Sequence, residues 1–105
     1  MKSLTDREQA FEKKFAIDEE IQFKDASRRN RLLGLWAASL LGKEGSDAED
    51  YAEEILRLSL ESTSEQGVID RVSADLGNKV GDSGVSIKMS ELMAEVIAER
   101  IKSAA

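Results

Sequence analysis

The sequence contains no cysteine, no histidine and no proline, and aromatic residues make up only 5% of its 105 positions. Without cysteine and histidine, the chain cannot form disulfides, thiolate or histidine zinc sites, or a nucleophile activated by histidine. With so few aromatic residues, a core has to be built from leucine, isoleucine, valine and alanine, which is typical of helix bundles. These absences favour a small helical protein that is not an enzyme.

A basic face is also lacking. The formal charge is +1 over residues 1–45 and −7 over residues 46–105, which gives the net charge of −6. A nucleic-acid-binding protein needs an extended basic surface to neutralise phosphates, and this distribution does not supply one. We therefore expect no nucleic-acid partner.

No hydrophobic run is long enough to cross a membrane. The longest apolar stretch, residues 32–41, includes Gly34 and Ser39 and is shorter than the roughly 20 residues that a spanning helix needs. Acidic residues near the N-terminus stand where a secretory signal peptide would be basic and then apolar. We expect a cytoplasmic protein that does not insert directly into the membrane.

What the sequence does contain is helical periodicity. Hydrophobic residues make up 41% and charged residues 34%, which suits one folded domain. A first helix is predicted to begin at a capping box, Thr5 to Glu8, and its apolar period continues to Leu41, after which Gly42 ends it. Because the polarity changes over residues 18–25, the pattern allows one helix or two with a break between Asp18 and Asp25.

Two further helices follow by the same signals. The second is predicted to begin at the capping box Ser46 to Glu49 and to end near Ser62. The third is predicted to begin at a capping pattern that starts at Ser62 or Thr63 and to run to Val80, with Gly81 as its stop.

A fourth helix is predicted after a loop of residues 81–84. It carries an apolar stripe and an adjoining apolar row: Val85, Met89, Leu92 and Val96, with Met93, Ile97 and Ile101 beside them. Short loops connect antiparallel neighbours, so the predicted fold is all-α, a small four-helix bundle.

The N-terminal segment differs from the other helices. Residues 1–20 are rich in charge and poor in aliphatic residues, so we expect a partly mobile, marginal helix attached to a bundle domain of residues 21–105. Phe11 and Phe15 lie one helical turn apart among these charges. They either pack on the bundle itself or form an amphipathic face offered to a groove in another protein.

The remaining charged groups have simpler interpretations. Several pairs have the spacing of solvated or ion-paired helix faces: Asp18–Glu19, Glu53–Glu54, Glu20–Lys24 and Asp25–Arg29. No metal site is expected from them. Gly42 followed by Lys43 lacks the upstream glycine of a phosphate-binding loop.

Arginines cluster once in the chain. Arg28, Arg29 and Arg31 are interpreted as a solvated face that pairs with acidic neighbours, with anion or nucleotide binding as the alternative. Trp36 lies among leucines on the apolar stripe and is predicted to anchor the core.

Two stretches resemble a known family. Residues 6–16, DREQAFEKKFA, resemble the N-terminus of the zeta inhibitor subunit of α-proteobacterial rotary ATP synthases, and residues 28–38, RRNRLLGLWAA, are similar to the same family. The order of three further short helices also agrees. Residues 81–86 are richer in glycine and serine than that family pattern, which leaves the start of the fourth helix open.

The resemblance implies an inhibitor of ATP hydrolysis. In that family the N-terminal segment enters an interface between the α and β subunits, contacts the γ stalk and blocks rotation. Carried over by position, the segment would bind through Asp6, Arg7, Glu8, Phe11, Glu12, Lys13, Lys14 and Phe15. The resemblance implies no cofactor, and it implies a peripheral location on the membrane-bound ATP synthase. The alternatives are a helical nucleotide sensor that uses the three arginines and a general helical adaptor.

Overall fold

The computed structural model describes residues 4–62, 64–77 and 79–104, with Leu4 described by its backbone alone. These residues form four α-helices and no strand, which confirms the predicted all-α fold. The helices are α1 (Leu4–Leu40), α2 (Gly45–Glu61), α3 (Gln66–Asp75) and α4 (Gly81–Ala104).

The first helix is continuous. It extends over 37 residues without a break between Asp18 and Asp25, so one helix, not two, is correct. No proline occurs in the chain, and the first glycine of α1 is Gly34, so nothing in the charged half interrupts the backbone hydrogen bonds. At about 1.5 Å per residue, α1 is about 55 Å long and accounts for most of the 61 Å length of the molecule.

The predicted capping boxes are wrong about where the helices begin. Leu4, the first described residue, is already helical, so Thr5 lies within α1 and is not its N-cap. In α2 the N-cap is Glu44, which accepts a hydrogen bond from the Asp47 amide at 3.2 Å, so Ser46 lies inside the helix. A capping box is a short pattern that also fits residues already within a helix.

The start of α3 also differs from its prediction. Its N-cap is Glu65, whose side chain makes no capping hydrogen bond. Ser62 instead donates its hydroxyl to the Ser64 carbonyl at 2.8 Å, which stabilises the turn before the helix. Thr63, the other predicted start, lies outside the described residues.

Positive backbone φ angles mark the observed helix ends. Gly42 has φ of 75° and ends α1 as predicted. The end of α3 is earlier than predicted, at Asp75, because Gly77 adopts φ of 69° just after it. The chain turns again at Gly81, with φ of 74°, and α4 begins there, so the predicted loop of residues 81–84 is the first turn of α4.

The core lies where α1, α2, α3 and α4 meet. Its fully buried aliphatic side chains come from all four helices: Leu33, Ile55, Val68, Val72 and Val85. Trp36 is half-buried and packs against this cluster, which confirms that it contributes to the core. The predicted stripe of α4 is buried, whereas the adjoining row becomes progressively exposed from Met93 to Ile101.

Candidate functional site

One end of α1 projects beyond the bundle. Helix α4 runs antiparallel to α1, since Arg100 lies against Asp25 while Lys88 lies 5.8 Å from the centroid of the Trp36 ring. The four residues of α4 that follow Arg100 add about 6 Å, so α4 ends alongside about residue 21. Residues 5–20 are all exposed. We call residues 4–20 the projecting segment; it is about 25 Å long.

All eight residues implied by the resemblance lie on the projecting segment and are exposed: Asp6, Arg7, Glu8, Phe11, Glu12, Lys13, Lys14 and Phe15. Phe11 is 71% and Phe15 58% exposed, so the alternative in which both pack on the bundle is wrong. Large exposed aromatics are costly to leave in water. The two rings are therefore candidates for a contact with another protein.

The two phenylalanines share a face with the core. Arg29 follows Phe11 by eighteen residues, and Leu33 follows Phe15 by the same interval, which is five full helical turns. Because Leu33 is fully buried, this face of α1 points into the bundle where the other helices cover it. The projecting segment extends the same face into solvent, and charges of both signs surround it.

The three arginines do not form one site. Arg28 is exposed, whereas the Arg29 guanidinium is buried, 2.9 Å from a Glu65 carboxylate oxygen and 3.2 Å from the Asn30 side-chain oxygen. Arg31 pairs with Glu49 and lies 3.6 Å from a Glu53 carboxylate oxygen. Neighbouring positions on a helix diverge by about 100°, which separates the three side chains. The predicted pairing with acidic residues is confirmed for Arg29 and Arg31, but Arg29 is buried, so the prediction of a solvated face is wrong for this residue.

One predicted ion pair is also replaced. Glu20 and Lys24 pair on the surface at 3.0 Å, as predicted. Asp25 instead receives the Arg100 guanidinium, whose Nε lies 3.1 Å from both carboxylate oxygens, and Asp25 is buried. This contact joins α1 to the last turns of α4 and so fixes α4 at the base of the projecting segment.

A polar network between α2 and α3 was not predicted. The Tyr51 hydroxyl donates to Asp75 at 2.7 Å, and Arg71 donates to the same carboxylate at 2.8 Å. Burial and the Asp75 carboxylate raise the pKa of Tyr51, and the hydrogen bonds to Asp75 and Glu54 raise the pKa of Arg71. A buried tyrosine needs a partner for its hydroxyl, and that signal could have suggested the network, although not its members.

Residues 4–62, 64–77 and 79–104 were compared with the requirements of a metal site and of a membrane-spanning helix. No group of three or more potential metal-ligating side chains occurs there. No helix in this described part of the chain is both long and apolar enough to cross a bilayer.

Comparisons with known proteins agree with the resemblance of the two N-terminal stretches. The family model described as ATPase inhibitor subunit zeta matches residues 1–99. A solved structure described as "Solution NMR structure of the protein" is 37% identical, has a TM-score of 0.69, and is aligned over 79% of this chain and 98% of its own. No curated protein matches. With nearly its whole length matched by the family model, the chain belongs to the ATPase inhibitor subunit zeta family.

Proposed function

We propose that this chain inhibits ATP hydrolysis by the rotary ATP synthase by inserting its projecting segment into an α/β catalytic interface near the γ stalk, which blocks rotation. The chain then acts as a regulatory subunit and not as an enzyme. The exposure of Phe11 and Phe15 on a helix that extends beyond the bundle carries the proposal. Membership of the inhibitor family supports the inhibitory role.

The energetics suit insertion. Burying a phenylalanine side chain contributes about 1.5–3 kcal/mol, so two rings supply a substantial part of a micromolar affinity. A segment that is already helical loses less conformational entropy on binding than a disordered one. The charged residues around the rings would make oriented contacts that select one registration of the helix.

The dimensions suit an inhibitor that enters only partly. An α-helix with its side chains is about 10–12 Å wide, whereas the shorter dimensions of the molecule are 30 and 23 Å. A cleft that admits the projecting segment therefore excludes the bundle. The bundle would remain outside, against the α and β subunits, and the chain would be peripheral on the membrane-bound ATP synthase in the cytoplasm.

The test is an ATP hydrolysis assay with the cognate soluble ATPase head. We expect the full chain to inhibit, and a version without residues 1–18 to lose inhibition. The double variant Phe11→Ala with Phe15→Ala should raise the half-inhibitory concentration about 100-fold or more, the loss expected for two buried rings. Phe23→Ala is the matched control, because Phe23 is equally exposed but lies outside the segment. Equal inhibition by the full and shortened chains would refute the mechanism.

No observation specifically favours the two alternative functions, a nucleotide sensor and a general helical adaptor, so neither is proposed. The three arginines do not converge, and the buried Arg29 guanidinium already holds the Glu65 carboxylate, so an anion would have to displace that carboxylate. Nucleotide binding stays a prediction, and no cofactor is proposed. No observation among the described residues favours a general adaptor over the inhibitor that the family match indicates.

A further inference from the structure

The first buried side chain of α1 carries a charge. Residues 5–20 are exposed and Ile21 is half-buried, and Asp25 is the first residue of α1 after them that is buried, with 7% exposure. A carboxylate that is taken out of water needs a compensating partner, because the loss of its hydration is costly. The helix therefore enters the bundle at a buried charge that must be paired.

Arg100 of α4 supplies that partner. Its Nε lies 3.1 Å from both Asp25 carboxylate oxygens, and its own side chain is 41% exposed. A hydrogen-bonded ion pair has a preferred direction, whereas the contact of aliphatic side chains does not. The pair therefore fixes both the rotation of α1 about its own axis and its position along α4.

A second ion pair follows one turn further into the bundle. Arg29 comes four residues after Asp25, so the two side chains lie on the same side of α1. The buried Arg29 guanidinium lies 2.9 Å from a carboxylate oxygen of Glu65, the N-cap of α3. The first fully buried aliphatic side chain of α1, Leu33, lies another turn on. Between the projecting segment and the core, α1 is thus attached by ion pairs to two different elements.

This attachment limits how far α1 can fray. The projecting segment is exposed, so its helical state depends on the turns that follow it. Fraying passes along exposed residues at little cost, but it cannot pass Asp25 without separating a buried carboxylate from its cation. Phe11 lies fourteen residues before Asp25, about 21 Å along the helix. A tilt of about 10° at Asp25 would move Phe11 sideways by about 4 Å, enough to break a side-chain contact.

We propose that Asp25 and Arg100 are positioning residues for inhibition, because their ion pair limits the fraying of α1 and holds the projecting segment in line with the covered part of the helix. The effect on inhibition rests on the proposed function, whereas the effect on the helix does not. Neither residue has to touch the ATP synthase. They act through the direction in which α1 presents Phe11 and Phe15.

The experiment removes the cation from this pair and from a matched pair elsewhere. Arg100→Met keeps an unbranched side chain and loses every hydrogen-bond donor. Arg71→Met is the matched control, because the Arg71 side chain is 37% exposed and its Nε donates to the Asp75 carboxylate at 2.8 Å, on α3. The conservative variant Arg100→Lys keeps the charge.

The expected result is local. Arg100→Met should speed amide hydrogen exchange over residues 16–24 and raise the half-inhibitory concentration about tenfold, whereas Arg71→Met should lower the melting temperature without either effect. Arg100→Lys should recover part of the inhibition, since an ammonium group still compensates the carboxylate. A contribution to global stability alone would instead act alike in Arg100→Met and Arg71→Met and would change exchange throughout the bundle.

Exchange over residues 16–24 that is unchanged in Arg100→Met, or that rises equally in Arg71→Met, would overturn the proposal. Wild-type inhibition by a folded Arg100→Met would overturn the role in inhibition. If Arg100→Met does not fold, Arg100→Lys decides, because its exchange over residues 16–24 should still exceed that of wild type, and equal exchange would contradict the proposal. A wild-type chain that does not inhibit would remove the proposed function and the role in inhibition, whereas the exchange measurement still decides whether the pair limits fraying.

Discussion

At the scale of single residues, Gly34 allows the backbone of α1 to pack closely against Ala52 of α2. A Cβ atom added at Gly34 would lie 2.7 Å from the Ala52 Cα and 3.3 Å from its Cβ. The nearest obstacle is backbone, which cannot rotate aside as a side chain can. The absence of a side chain at Gly34 therefore sets the distance between the two helices.

Gly34→Ala should destabilise the protein. Alanine gains about 0.5–1 kcal/mol over glycine inside a helix, but overpacking at a helix crossing costs about 1–3 kcal/mol, so a net loss is expected. Urea denaturation would measure it. Gly67→Ala is the control, because the Cβ there would meet the Ser62 side chain, with its Oγ at 3.0 Å and its Cβ at 3.8 Å, and no backbone atom within 4 Å. Equal or higher stability of Gly34→Ala would show that the two helices can separate at no cost.

Tyr51 should make stability depend on alkaline pH. Its pKa in the folded protein is raised above the ordinary value of 10.0, so the unfolded chain loses the hydroxyl proton first. Its contribution to the free energy of unfolding is complete below about pH 10 and is lost as the pH rises above that value. Denaturation at pH 8 and pH 11 should therefore show a larger loss for wild type than for Tyr51→Phe. Tyr51 is the only tyrosine, which isolates its contribution. Equal losses in the two proteins would contradict this.

At the scale of helices, α1 combines two environments without a break. From about residue 21 onward, one face of α1 is covered by other helices, whereas all side chains of residues 5–20 are exposed. Helix stability in the covered half comes from packing, whereas the projecting segment depends on its own propensity and on continuation from the covered half. Substitutions in the projecting segment should therefore affect local helicity and leave global unfolding unchanged.

Gln9→Gly tests this separation. Glycine costs about 1 kcal/mol in a helix interior, so we expect less helix over residues 5–16 and about fivefold weaker inhibition, with no change in the global melting temperature. Gln9→Ala removes the same side chain and keeps the helix, so it is the matched control. Backbone chemical shifts measure the helicity, and the hydrolysis assay measures inhibition. A lower melting temperature for Gln9→Gly would show that the segment is coupled to the core.

The helices were predictable from the sequence, but several of their ends were not. Within each helix, apolar residues spaced three or four apart lie on one side, because the helix repeats every 3.6 residues. This spacing identified the buried faces that contain Leu33 in α1, Ile55 in α2 and Val85 in α4. The predicted helix starts were wrong because capping patterns also occur inside helices. The predicted end of α3 was wrong because two glycines, Gly77 and Gly81, can each end a helix, and the first of them does so.

The candidate site was predictable in part. The spacing of Phe11 and Phe15 identified an unusual helix face, and the structure shows both rings exposed. The contact between Asp25 and Arg100 joins residues 75 positions apart, and no local pattern indicates it. The sequence also did not indicate that Ile97 and Ile101 are exposed, because their i,i+4 spacing is the same as that of buried residues. Only the length of α1 beyond α4 reveals that they lie at the edge.

At the scale of the whole molecule, the projecting segment determines the shape. The radius of gyration is 17.3 Å, whereas a compact domain of this length has about 13 Å. The greatest dimension, 61 Å, is about twice the second, 30 Å, and more than twice the third, 23 Å. The charge of −7 over residues 46–105 therefore belongs to the bundle, whereas the projecting segment carries charges of both signs.

The uninterrupted course of α1 also limits how such an inhibitor can leave. Because the projecting segment and the core share one helix, no hinge between them lets the bundle swing away while the tip stays bound. Under the proposed function, release with the helix intact requires the molecule to move back along the axis of α1 by about 25 Å, the length of the inserted part. The inserted helix would thus resist forces perpendicular to its axis far more than forces along it, so the complex would dissociate along one direction.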